Sequence, residues 1–255
     1  MHYVAVGDSF TEGVGDADAS GALVGWADRV AAGLAAARGE PVLYANLAVR
    51  GRLLAPVVHE QVPAALALSP APTLVTFNGG GNDMLRPRTD VASLLDLTAH
   101  AIRACRTAGA RLVLLSGADP SDHIPLGSVV RRRGSALTAG VAELAARNDV
   151  TFVDCFSDRR LRAQENWSAD RLHLNTTGHR RVASLVLAAL GVSPLGEAAA
   201  AALQTDATTD VPNGVRYYRE HVLPWVGRRL RRRSSGDGRV GKAPDWVTVE
   251  PGATT

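Results

Sequence analysis

The sequence predicts a three-layer α/β/α sandwich built on a five-stranded parallel sheet. Short apolar runs alternate along the chain with longer segments that have the hydrophobic period of a helix. The short runs are apolar throughout, without the polar alternation of a half-exposed sheet, which is typical of parallel strands covered on both faces. Strands that alternate with helices in this way form βαβ units with right-handed crossovers.

The bounds of the predicted elements follow from these two patterns, continuous apolar runs for the strands and helical periodicity for the helices. The predicted strands span residues 3–6, 42–47, 73–77, 111–116 and 151–153. The predicted helices span residues 25–38, 53–68, 91–108, 128–148 and 176–190. The repeating pattern ends near Gly191, so we expect one α/β domain over residues 1–192 and a helical appendage over residues 193–255. Pro244, Pro251 and Gly252 indicate that the end of this appendage is flexible.

Bulk composition describes an ordinary globular chain. It has 255 residues, of which 46% are hydrophobic, enough to bury a substantial core. The formal charge of +3 is concentrated in residues 216–242, where eight arginines and one lysine accompany two acidic residues. The rest of the chain is mildly acidic, so we do not expect the domain to bind nucleic acid.

The basic tail has two interpretations. Apolar residues at helical spacing beside its arginines are compatible with contact to an anionic membrane or polyanion. A solvated helix that packs back on the domain is the favoured interpretation, because Pro224 interrupts the pattern. The arginines that would make the membrane contact are Arg228, Arg229, Arg231, Arg232 and Arg233.

Other features bear on location and cofactors. The N-terminal residues lack the pattern of a secretory signal, and no stretch approaches the ~20 apolar residues that span a bilayer, so we expect a cytoplasmic protein. The spacing of histidines and cysteines does not match a metal site, and residues 79–81 are not followed by the Gly-Lys-Ser/Thr of a phosphate-binding loop. The sequence therefore predicts no cofactor and no metal. Cys105 and Cys155, in apolar surroundings, are predicted to be buried thiols.

Polar and glycine-rich clusters follow four of the predicted strands. They comprise residues 7–9 after the first strand, 48–51 after the second, 78–83 after the third and 170–173 after the fifth. In an open parallel sheet, ligands bind beyond the carboxyl ends of the strands. The sequence therefore predicts that these four clusters form one site at that edge.

The residue types in the clusters suit acyl transfer. Ser9 can act as nucleophile, His173 as its base, and Asp170 can accept a hydrogen bond from the other ring nitrogen. The oxyanion donors would be the backbone N–H groups of Ser9 and Gly51 and the amide of Asn82.

Each of these residues also has a structural interpretation. Ser9 is then a helix-capping or turn residue, Gly51 supplies a positive φ, and Asn82 caps a helix. His173 is then a loop histidine that is satisfied by the backbone. Asp170 is the least determined, since a backbone carbonyl can orient the histidine instead.

Together the clusters resemble a known family. Gly7-Asp8-Ser9, Gly51, the run Gly-Gly-Asn-Asp at residues 80–83 and Asp170-x-x-His173 are similar to the successive blocks of the SGNH (GDSL-like) hydrolases, over roughly residues 3–190. The resemblance implies a flavodoxin-like sheet and hydrolysis of acyl esters by a Ser-His-Asp triad with a Ser/Gly/Asn oxyanion hole. One departure is Phe10, where the family motif has leucine.

We therefore expect a serine esterase of small acyl esters. One alternative is an O-deacetylase of a carbohydrate or small metabolite that uses the same triad. Alternatives of other classes are a non-catalytic protein that binds membranes or polyanions through the basic tail, and a nucleotide-binding protein of the flavodoxin type. The acyl chain length, the leaving group and the oligomeric state are not determined by the sequence.

Overall fold

The fold is an α/β sandwich around a six-stranded sheet. The computed structural model of the protein describes residues 1–124, 126–192, 236 and 238–252. The strand order is β5-β4-β3-β1-β2-β6. The strands are β1 (His2–Val6), β2 (Val42–Asn46), β3 (Leu74–Asn78), β4 (Arg111–Leu115), β5 (Thr151–Val153) and β6 (Ala243–Val249).

Helices cover both faces of the sheet. They are α1 (Ser9–Glu12), α2 (Trp26–Arg38), α3 (Leu54–Pro56), α4 (Val62–Leu66), α5 (Gly81–Met84), α6 (Val91–Thr107), α7 (Gly127–Arg147) and α8 (Thr176–Ala189). A π-helical turn, Val57–Gln61, joins α3 to α4, and a 3₁₀ turn spans Gln164–Asn166. The five predicted strands and five predicted helical segments are confirmed with boundaries that shift by only one or two residues.

The central strand β1 shows why three layers form. Successive side chains of a strand point to opposite faces of the sheet. Tyr3 and Ala5 pack into one hydrophobic cluster with α2 and α8, whereas Val4 and Val6 pack into a second cluster with α4, α6 and α7. All four side chains are fully buried, so a continuous apolar run is required here rather than an alternating one.

The order of the parallel strands places a crevice between β1 and β3. From β1 the chain moves outward to β2, then returns to β3 on the other side of β1, and continues outward through β4 to β5. Such a reversal is a topological switch point, where the loops that leave the carboxyl ends of the two strands diverge. Here these loops carry Ser9 and Asn82.

The predicted number of strands was wrong by one. β6 pairs antiparallel with β2, with Val42 opposite Val249, in a stretch that the sequence assigned to the flexible end of the appendage. Pro244 and Asp245 interrupt its apolar pattern, so the sequence did not predict a strand here. A proline is tolerated there because, in the described part of the chain, β6 is the edge strand and one row of its N–H groups has no neighbouring strand.

The C-terminal segment is also held by the single lysine of the chain. The Lys242 Nζ donates to Asp28 Oδ2 at 2.6 Å and to the Leu23 carbonyl at 3.0 Å. Lys242 thereby ties the segment that leads into β6 to the start of α2. The five tail arginines named above lie outside the described residues. None of the helices in the described ranges is both long and apolar enough to cross a membrane.

His179 ties α8 to the layer that it covers. Its ring is fully buried; Nδ1 accepts a hydrogen bond from the Trp26 N–H at 3.2 Å, and Nε2 donates to the Val14 carbonyl at 3.4 Å. This geometry requires the neutral ring. Burial lowers the pKa of His179 from 6.5 to about 4, although the nearby Asp16 carboxylate acts in the opposite direction and the Arg29 and Lys242 cations add to the lowering.

We expect His179→Gln to destabilise the protein by about 2 kcal/mol at pH 8, because one buried and one partly buried hydrogen bond are altered. Between pH 6.5 and about 4 the unfolded wild-type chain binds a proton that the folded ring rejects, so the contribution of His179 to stability falls as the pH falls. The difference between wild type and variant, measured by urea unfolding, should therefore shrink across this window. A difference that is constant with pH would contradict this, and the exposed His100→Gln serves as the control.

Candidate active site

Ser9 lies at a sharp turn where β1 ends and α1 begins. It is the first residue of α1, and Asp8 caps this helix because its Oδ1 accepts a hydrogen bond from the Phe10 N–H at 3.1 Å. The turn is tight: a Cβ on Gly7 would lie 2.5 Å from Thr11 Oγ1. Since Ser9 opens the helix, its own N–H has no partner within α1 and is available to another acceptor.

A buried glutamine fixes the backbone of this turn. The Gly7 N–H donates to Gln61 Oε1 at 2.8 Å, and Gln61 Nε2 donates back to the Gly7 carbonyl at 3.0 Å. Gln61 closes the π-helical turn between α3 and α4, and Pro63 follows two residues later. A wider turn at this point relieves the clash that a proline ring makes with the carbonyl four residues before it.

Asp170 and His173 form a preorganised pair in the loop before α8. The His173 Nδ1 lies 2.5 Å from Asp170 Oδ2. The other oxygen, Oδ1, accepts hydrogen bonds from the N–H groups of Leu172 (2.9 Å) and His173 (3.0 Å) and from Ser168 Oγ (2.7 Å). Asp170 therefore orients the ring, and the loop backbone in turn fixes the carboxylate.

These contacts set the charge of Asp170. Burial by itself would raise the pKa of this carboxyl, but the hydrogen bond and charge of the His173 ring outweigh it, with help from the N–H groups of His173 and Leu172. The pKa of Asp170 is therefore held well below its usual value. An ionised carboxylate that accepts the Nδ1 proton leaves Nε2 as the nitrogen that can accept a proton.

A largely apolar cavity of about 130 Å³ joins the two loops. Ser9, Asn82 and His173 line this cavity, together with Asp8 and Phe10. Among the described residues no hydrogen bond links Ser9 to the His173 ring. Contacts of this kind are often long without substrate and shorten when it binds.

Asn82 lines this cavity, and two acceptors hold its amide. Its Nδ2 donates to Asp8 Oδ2 at 3.1 Å and to the Arg52 carbonyl at 3.0 Å. Burial raises the pKa of Asp8 to about 6, while the Phe10 N–H, the His173 charge and the Asn82 amide oppose that rise. An oxyanion would have to share or replace one of the two acceptors of the Asn82 amide.

Gly51 lies in a turn beside the cavity and is not among its described lining residues. Its φ of +75° is the left-handed conformation that glycine adopts most readily. The chain just after it is held at two points: Arg52 accepts from Asn82, and the Leu54 N–H donates to Asp83 Oδ2 at 3.0 Å. The structure thus brings Ser9, Asn82 and His173 to one cavity, whereas Gly51 lies outside the described lining.

Comparison with known proteins agrees with this arrangement. The model of the GDSL-like lipase/acylhydrolase family matches residues 5–181. The chain belongs to this family. It is accordingly a carboxylic ester hydrolase, and the resemblance to SGNH hydrolases is confirmed. A search of curated protein sequences found no match.

Solved structures of GDSL-like hydrolases share the fold. TesA is 26% identical, with a TM-score of 0.61 over 74% of this chain and 98% of its own. The lipase Lip_vut3 from a goat rumen metagenome is 20% identical, with a TM-score of 0.61 over 76% and 98%. An acetylxylan esterase, Axe2 from Geobacillus stearothermophilus, is 17% identical, with a TM-score of 0.61 over 74% and 94%. The last two similarities concern the fold alone.

Three polar residues of this site were not assigned from the sequence. Asp8 caps α1 through the Phe10 N–H, and it also holds the Asn82 amide. Gln61 gave no signal, because a glutamine in a helical segment is ordinarily a surface residue. Glu12 was missed for the same reason, because a glutamate is ordinarily a surface residue. Its contacts are described below. Phe10, the departure from the family motif, packs its ring near Trp26 and His179.

We expect Gln61→Leu to lower the free energy of unfolding by about 1–3 kcal/mol, because the buried Gly7 N–H loses its partner. Leucine fills nearly the same volume, so the loss reports on the hydrogen bonds rather than on a cavity. Urea denaturation monitored by circular dichroism measures the change. Gln164→Leu, at an exposed position in the 3₁₀ turn, should shift stability by less than about 0.5 kcal/mol. Equal effects in the two variants would contradict the role of Gln61.

Proposed function

We propose that the protein is a serine esterase in which Ser9 attacks an ester carbonyl, His173 transfers protons and Asp170 orients His173. The observation that carries this proposal is the Asp170–His173 pair at 2.5 Å, with its ring on the same cavity as Ser9. A nucleophile, a base and a group that orients the base are the parts that covalent acyl transfer needs.

The reaction proceeds in two halves. His173 Nε2 removes the proton of Ser9 Oγ as that oxygen bonds to the carbonyl carbon, and the tetrahedral oxyanion forms. The His173 imidazolium then protonates the leaving alcohol as the acyl-enzyme forms. Water, deprotonated by His173, attacks the acyl-enzyme; the Ser9 oxygen leaves with the proton and the free acid is released.

Three N–H donors are proposed to stabilise the oxyanion: the backbone N–H groups of Ser9 and Gly51 and the Asn82 amide. Donors of this kind stabilise the transition state more than the ground state, so they act on kcat rather than on substrate binding. The amide of Asn82 would share one of its two bonds, to Asp8 Oδ2 or to the Arg52 carbonyl, as the oxyanion forms.

We expect Ser9→Ala and His173→Ala to abolish turnover of p-nitrophenyl esters and labelling by a fluorophosphonate probe. Asp170→Ala should be milder than His173→Ala, because the ring remains present and only its orientation and charge stabilisation are lost. Steady-state rates and in-gel fluorescence measure both. The controls are Ser184→Ala and His100→Ala, both exposed. Ser9-independent turnover, or an Asp170→Ala loss as large as that of His173→Ala, would contradict these assignments.

The shape of the cavity favours an apolar acyl group. Beyond Ser9 it follows α7, with Val130, Leu137 and Val141 on its wall. Helix α7 starts at the edge where β4 ends and runs back toward the start of β5. A helix rises 1.5 Å per residue, so Val141 lies about 16 Å beyond Val130, away from the site edge. This length suits a medium-length straight acyl chain better than an acetyl group.

We expect p-nitrophenyl octanoate to exceed p-nitrophenyl acetate in kcat/KM. Val141→Phe should lower kcat/KM for octanoate about tenfold or more and leave acetate nearly unchanged, because the larger side chain shortens the far end of the cavity. Ala136→Phe, on the exposed face of α7, is the control. A higher kcat/KM for acetate, or an equal effect of Val141→Phe on both esters, would exclude the long acyl site. Either result would favour the O-deacetylase alternative.

A further inference from the structure

A buried carboxylate connects the helix that carries Ser9 to the turn that carries Gly51. Glu12 ends α1, and its side chain is only 9% exposed. Its Oε2 accepts a hydrogen bond from the Arg50 N–H at 2.6 Å. Its Oε1 accepts from Arg50 Nη2 at 2.7 Å and from Nε at 3.0 Å. One carboxylate therefore binds both the backbone and the side chain of the same arginine.

The bond from the Arg50 N–H to Glu12 bears most directly on the position of Gly51. A guanidinium alone can pair with a carboxylate at many loop positions, but a bond to the Arg50 N–H fixes the peptide next to the one that presents the Gly51 N–H. On the far side of Gly51, the Arg52 carbonyl is held by Asn82. Gly51 thus sits between two anchors, one on α1 and one on α5.

The position of Gly51 relative to Ser9 is set by the first of these anchors together with the Val49 N–H, which donates to the Gly7 carbonyl at 3.2 Å. Ser9 and Glu12 belong to one short helical turn, so they move together. Displacing a reacting group by about 1 Å can cost about 10²-fold in rate, even when the change is made away from the chemistry. A carboxylate is well suited to such an anchor, since charge-assisted hydrogen bonds are short and strong.

We infer that Glu12 is a positioning residue for the oxyanion hole: it holds the Val49–Gly51 turn so that the Gly51 N–H faces the oxygen formed when Ser9 attacks. This inference rests on the proposed function, because it requires that Ser9 be the nucleophile and Gly51 a donor. Glu12 itself does not touch the substrate.

The test compares three substitutions of Glu12 in the full chain. Glu12→Ala removes both contacts and should lower kcat about 10²-fold with KM changed less than about twofold. Glu12→Asp keeps the charge but retracts it by one methylene, and should lower kcat about tenfold. Glu12→Gln keeps an oxygen that accepts from the Arg50 N–H, and should retain kcat within about fivefold of wild type.

A matched control lies on the other flank of Gly51. Glu60 pairs with Arg52 at 3.6 Å, but its side chain is 60% exposed and it makes no backbone contact with the turn in the described part of the chain. Glu60→Ala should leave kcat and KM unchanged. Melting temperatures show which variants fold. If Glu12→Ala does not fold, the difference in kcat between Glu12→Asp and Glu12→Gln tests the inference.

Two results would overturn the inference. One is folded Glu12→Asp or Glu12→Ala enzyme with wild-type kcat, and the other is a loss that appears in KM alone. A wild-type enzyme whose turnover requires Ser9, combined with either result, refutes the role of Glu12 and leaves the proposed function standing. A wild-type protein without Ser9-dependent turnover refutes the proposed function itself.

Discussion

The pairing of β1 with β3 is the constraint on which the site depends. Val6 lies opposite Phe77 in parallel register, so the chain leaves both strands at the same edge and at nearly the same height. The loops that follow deliver Ser9 from one strand and Asn82 from the other into one crevice. This pairing is secured by burial of both strands on both faces, since a shift of one residue would turn every apolar side chain of a strand to the opposite layer.

The crevice is then shaped by side chains that satisfy loop backbone. Gln61 pairs with Gly7, Asp8 with Phe10, Glu12 with Arg50 and Asp83 with Leu54. Each bond satisfies a backbone N–H that is buried or partly buried, and a fully buried N–H without a partner costs about 1–3 kcal/mol. The same bond fixes the angle at which a loop leaves its strand. Stability and the geometry of the site are therefore coupled in this protein.

The sequence pattern did not predict two features, the strand β6 and the hydrogen-bond partner of Asn82. Strand β6 contains a proline and exposed polar residues, so its local pattern resembles a loop; only its pairing with β2 makes it a strand. The residue Asn82 was found from its position after a strand, but its partner was not. Asp8 lies 74 residues away, and their contact depends on how two loops turn after leaving the sheet.

The sequence by itself determined the layers, the five parallel strands and the identity of the polar groups at their carboxyl ends. These follow from local periodicity, because burial on two faces requires continuous apolar runs and a parallel sheet gathers its loops at one edge. Only the tertiary structure decided which of those groups touch. The Asp8–Asn82 and Glu12–Arg50 contacts and the sixth strand join segments distant in sequence, and a hydrogen bond of about 3 Å requires directions that a one-dimensional pattern does not contain.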